Sequence, residues 1–109
     1  MVSGVMSGQA MKKSDVQWVK RVTEGNEVKV IAGPQVLMQM EFTHDGSKSP
    51  KTIDYVNTAG ANKGKTQEGI YELDGDILKI CVGAPGSARP AQFESVAGDG
   101  RSFTVWRRV

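Results

Sequence analysis

The sequence has one cysteine and one histidine, and each scarcity removes a class of function. Cys81 alone forms no intrachain disulfide and supplies no cysteine-built metal site. His44, the single histidine, excludes a multi-histidine metal centre, so no metal and no cofactor is expected. No stretch reaches the roughly 20 apolar residues of a membrane-crossing helix, and no membrane partner is expected. Excess charge of one sign is missing too. Fourteen Lys and Arg stand against twelve Asp and Glu, a net charge of +2. Both signs are spread over the two halves, and the longest basic run is Arg107-Arg108. Neutralising several phosphates needs a clustered positive surface, so nucleic acid is not an expected partner.

What is present is glycine and a period of two. Thirteen glycines and four prolines punctuate 109 residues, enough chain for one core and one domain. Val36, Met38, Met40 and Phe42 alternate with Leu37, Gln39, Glu41 and Thr43, the pattern of a half-buried strand. Val28, Val30 and Ala32 do the same. Val16, Trp18 and Val22 mark one face of a strand over 16–22, with Lys20 interrupting it. Further strands are predicted at 52–56, 69–73, 77–82, 92–96 and 102–108. Gly25-Asn26, Gly33-Pro34, Asp74-Gly75 and Asp99-Gly100 supply turns between them. No window carries a helical stripe. Eight short strands at this spacing predict an all-β sandwich or up-and-down barrel. Met1 to Ser14 holds no stretch of signal-peptide length. It reads as a flexible leader over 1–14 before a single domain over 15–109, with a cytoplasmic address. A secretory signal already trimmed away would leave the same trace.

Several segments invite a chemical reading. Gly60-Ala61-Asn62-Lys63-Gly64-Lys65-Thr66 resembles a phosphate loop, but has three residues between its glycines where the motif needs four, and it leads into a strand. An acid inside a strand, Asp54, is exposed or paired. Arg89 precedes Pro90, which fixes its backbone as extended. The two are read either as an ion pair tying strands together or, with Arg89 inside a barrel, as a contact for a ligand's polar head. Met38 and Met40 either fill the core or line an apolar ligand site. Asp54, Tyr71, Cys81 and His44 are the only cast for acid–base work, and nothing in the spacing brings them together. No catalytic residues are assigned and no enzymatic activity is expected.

Four segments in order carry a family resemblance. They are Ser49-Pro50-Lys51-Thr52-Ile53-Asp54-Tyr55, the run from Gly69-Ile70-Tyr71-Glu72-Leu73 to Ile80-Cys81, Ala88-Arg89-Pro90-Ala91-Gln92-Phe93-Glu94-Ser95, and Phe103-Thr104-Val105-Trp106-Arg107-Arg108. Over residues 16–108 the chain resembles a family of small lipocalin-like domains of uncharacterised function, abundant in planctomycete bacteria. The family pattern maps onto Pro50, Lys51, Ile53, Asp54, Gly69, Tyr71, Leu73, Gly75, Leu78, Cys81, Arg89, Pro90, Phe93 and Arg107 or Arg108. The resemblance implies a small up-and-down antiparallel β-barrel and brings no activity with it. The family's usual Gly-Thr-Trp-like first strand is missing here or replaced by the leader, which predicts a barrel open at its N-terminal edge. Such an edge invites pairing with a second copy, so a homodimer is expected. The expected function is a non-enzymatic module holding a small hydrophobic ligand, with Arg89, Tyr71, Met38, Met40 and Asp54 as its contacts. The alternative is an interaction or structural module acting through the exposed strand edge, with no ligand.

Overall fold

A computed structural model describes residues 2–59 and 63–107. Gly60, Ala61 and Asn62 of the glycine–lysine loop and Arg108 of the last predicted strand lie outside the described residues. The chain folds into a single antiparallel sheet curled into an open barrel. Its strands are β1 (Ser3–Met6), β2 (Gln9–Ala10), β3 (Val19–Glu24), β4 (Glu27–Ala32), β5 (Gln35–Asp45), β6 (Lys51–Asn57), β7 (Thr66–Asp74), β8 (Ile77–Val82) and β9 (Ser102–Arg107). A four-residue helix, α1 (Lys13–Val16), is the only one among the described residues. It is far too short to cross a membrane. From β3 to β9 the strands meander in sequence order, each pairing with the next.

Turn chemistry sets the registers. Gly25, Gly33 and Gly75 each open a two-residue connection with φ near +58°. A glycine at the first central position is the type II′ arrangement, whose twist suits a hairpin. The Asp74-Gly75 signal therefore marks the right hairpin, shifted by one: Asp74 still pairs with Ile77, and Gly75-Asp76 makes the turn. In β5, Leu37 is an extra residue where the register against β4 shifts between Val30 and Ile31. Such a bulge increases local twist and helps curl the sheet.

The inner face gathers Val19, Val28, Val30, Met40, Ile53, Tyr55, Ile80, Val82 and Trp106 into the main core. A second, smaller core lies on the outer face. Ile70 and Cys81 point outward there, yet are 1% and 0% exposed, because the connection from β8 to β9 folds back over them. In that connection Pro90 is fully buried, Phe93 packs on Phe103 with ring centroids 6.0 Å apart, and the Cys81 thiol donates to the Glu94 carbonyl at 3.4 Å. Burial pushes the Cys81 thiol above its ordinary pKa, with the Glu94 bond opposing.

Three sequence expectations change. Residues 92–96 form no strand; β8 and β9 pair directly with each other, leaving the chain between them no ladder to join. It is held by side-chain caps instead, with the N–H groups of Val96 and Arg101 both donating to the Asp99 carboxylate at 2.8 Å. Those bonds, the Val96 one foremost, hold the Asp99 carboxyl below its usual range. Their contribution is present at neutral pH and lost as pH falls through that lowered value.

Second, the strand expected over 16–22 starts at Val19 and faces the other way. Val16 belongs to α1, Trp18 is 67% exposed and Val22 42% exposed, while Val19 and Arg21 point inward. A slip of one residue in a period-two pattern exchanges the two faces.

Third, residues 3–10 are not a leader outside the barrel. They form the β1–β2 hairpin, whose first strand pairs with β9 along Ser3–Met6. Ser7 and Gly8 both take positive φ, as a type I′ turn requires. The chain then leaves β2, makes α1 with Val16 buried, and re-enters as β3 at the opposite edge. The outermost strands of the described sheet are therefore β2 and β3.

Gly8 fixes how the hairpin docks. A Cβ there would stand 2.3 Å from the Ala97 backbone nitrogen, and φ is already +81°. Gly8→Ala is expected to cost about 1–3 kcal/mol through strain and overlap. Hydrogen exchange should show the Ser7 and Met11 amides, bonded to Arg101 and Gly4, losing protection while β5–β7 keep theirs.

Candidate functional site

The concave face of the curled sheet holds a half-open cavity of about 400 Å³. Its walls come from alternate residues of β3 to β9: Val19 and Arg21, Val30, Met38 and Met40, Tyr55, Gln67, Ile80 and Val82, then Ser102, Thr104 and Trp106. Met6, Met11, Leu37, Ala84, Pro85 and Gly100 complete it. Arg21 is the one charged side chain among these lining residues.

Arg21 reaches from the edge strand across the concave face to β6. Its Nη2 donates to the Tyr55 hydroxyl at 2.9 Å, and its guanidinium carbon lies 5.6 Å from the centre of the Tyr55 ring. Among the described residues no carboxylate pairs with it, while the ion pairs elsewhere join Lys29 to Glu27, Lys79 to Glu72 and Arg89 to Asp54 and Glu68. Burial raises the Tyr55 phenol above its ordinary value, partly opposed by Arg21, so the hydroxyl keeps its proton at neutral pH. The other large polar groups are satisfied within the protein. Gln67 donates to the Gly83 carbonyl at 3.0 Å and accepts from Asn57, and the Trp106 indole donates to Thr104 at 2.8 Å.

Of the five ligand contacts expected from sequence, Met38 and Met40 line the cavity. Tyr71 points inward nearer the opposite end, where its hydroxyl meets His44 Nδ1 at 3.2 Å. Asp54 and Arg89 do not face the interior. Both lie on the outer surface, where Arg89 Nη2 stands 2.8 Å from Asp54 Oδ1 and Nη1 donates to the Gly69 carbonyl at 2.8 Å. Arg89 thus ties the folded-back connection to β6 and β7, as the ion-pair reading had it. Of the acid–base cast, only His44 and Tyr71 meet; Cys81 and Asp54 sit on the other face. No group of three or more His, Cys, Asp or Glu side chains comes together among the described residues.

Arg21 is the cavity-lining charge that sequence reasoning missed. Its signal lay in the phase of β3: read with Val19 inward, opposite Ala32, the alternation places Arg21 inward opposite Val30. Compared with known protein families, with curated proteins and with solved structures, the chain gives no match.

Proposed function

We propose that this protein is a non-enzymatic binding module, lipocalin-like in manner, that holds a small, partly apolar molecule inside its open barrel. The observation that carries this reading is the cavity of about 400 Å³, lined by four methionines and a single charge. Ligand sites are concave, mostly apolar and furnished with a few convergent polar groups. Unbranched thioethers adapt to irregular apolar shapes. The neutral fluorophore N-phenylnaphthylamine tests the reading. It is expected to bind saturably, one per chain, with enhanced fluorescence. Met40→Trp, which fills the cavity from a position only 4% exposed, should weaken it at least about tenfold while the strand signal in circular dichroism persists. No saturable binding, or binding indifferent to the filling residue, would refute the proposal.

A second reading is favoured by the outer flank of β3 at Arg21 and Thr23. In an antiparallel ladder closed by a two-residue turn at the Glu24–Glu27 pair, Arg21 and Thr23 turn their backbone groups away from β4. A second copy adding its own strand there would give a homodimer. Thr23→Pro removes an outward N–H that β4 does not use, so the sheet tolerates it while strand addition is blocked. Light scattering should then fall from twice the chain mass to 11.8 kDa. Wild-type protein already at 11.8 kDa would contradict edge pairing.

A further inference from the structure

We infer that the ligand of this cavity is a small monoanionic amphiphile, its carboxylate held by Arg21 and Tyr55 and its apolar tail among the methionines. This rests on the binding reading above and adds the chemistry of the head group.

Donors without partners in the cavity wall point to an acceptor-only head group. The Tyr55 hydroxyl accepts from Arg21, so its own proton is left to donate, and no described residue accepts it. A guanidinium carries five N–H donors, and Arg21 lines the cavity with one side-chain hydrogen bond among the described residues, to Tyr55. Tyr55 is 3% exposed, so its unused proton is a group for which water is a poor substitute. An acceptor-only group with two oxygens matches a guanidinium and a hydroxyl side by side. A carboxylate is such a group.

Alternative heads fit less well. An alkylammonium would add donors where donors already lack partners, and would sit against a like charge. An alcohol supplies one neutral acceptor. A dianionic phosphate monoester would bring two charges to a site with one cation, leaving the second uncompensated in a largely apolar cavity. The tail direction follows from the lining. Met6, Met11, Leu37, Met38, Ala84 and Pro85 offer no polar side-chain end, so the apolar tail lies among them.

Three probes of equal tail length separate the head group from the cavity. Decanoate, decanol and decylamine are titrated by calorimetry at neutral pH against the full chain. Decanoate is expected to bind about tenfold or more tighter than decanol, the size of a charge-assisted hydrogen bond, with decylamine weakest. In Arg21→Met, decanoate should fall to the level of decanol while decanol is unchanged. In Tyr55→Phe, decanoate should fall several-fold. Equal affinity of wild-type protein for the three heads overturns the head-group assignment and leaves the cavity as a binding site. So does a preference for decanoate that survives Arg21→Met. Failure of all three probes to bind, decanol included, overturns the cavity reading itself. The comparison of heads on wild-type protein needs no variant to fold.

Discussion

Ile70→Ala is expected to destabilise the protein by about 2–5 kcal/mol, the usual cost of emptying a buried isoleucine site. The size of this effect depends on the outer face of the barrel being covered. Ile70 alternates with inward residues of β7 and points away from the main core, where an isoleucine would normally be wet. It is 1% exposed because the connection between β8 and β9 lies over it, with Pro90 and Phe93 as its apolar contacts to the sheet. For a domain of this length each kcal/mol shifts the melting midpoint by about 4–8 °C, so a fall of more than about 8 °C is expected. Val56→Ala, outward on the neighbouring strand β6 but 43% exposed, serves as the control and should stay within about 0.5 kcal/mol. Equal effects at the two positions would mean that the connection does not protect the outer face.

Arg89→Leu is expected to cost about 1–3 kcal/mol and to leave ligand affinity unchanged. The cost comes from the Gly69 carbonyl, which loses a 2.8 Å donor, and from Asp54, which loses the guanidinium 2.8 Å away. Asp54 is 41% exposed at its side chain, so solvent screens part of the pair and the full penalty of a buried unpaired charge does not apply. A double-mutant cycle with Asp54→Asn, followed by urea denaturation, should return a positive coupling energy. Binding of N-phenylnaphthylamine should match wild type in both single variants, because neither residue reaches the cavity. Loss of binding in folded Arg89→Leu would restore Arg89 as a ligand contact and contradict the assignment to Arg21.

The contrast between Arg21 and Arg89 shows which parts of the fold are legible in sequence. Alternation specifies β4 to β8, and two-residue glycine turns fix the registers of β3–β4, β4–β5 and β7–β8 locally. The pairing of β1 with β9 brings together chain ends about a hundred residues apart, and no local signal announces it. The residues over 92–96 have strand composition, yet whether they find a ladder depends on the direct pairing of β8 and β9. The candidate site suffers most from this. Met38 and Met40 are legible because β5 alternates cleanly from Met38 onward, past the bulge at Leu37 that turns Val36 to the outer face, whereas β3 carries Lys20 and Val22 on its outer face and Arg21 on its inner face, inverting the usual polarity cue. An inward arginine opposed by a buried tyrosine from a strand 34 residues away is a tertiary fact.

Methyl-labelled methionine NMR addresses the central claim most directly, that the interior of the open barrel is the ligand site. Met6 and Met11 come from the N-terminal hairpin and its exit, Met38 and Met40 from β5, and all four line the cavity. Titrating N-phenylnaphthylamine into the full chain is predicted to shift these four methyl resonances together, along one saturable curve. Resonances of the four that stay fixed while the fluorophore saturates would place the ligand elsewhere and contradict the account.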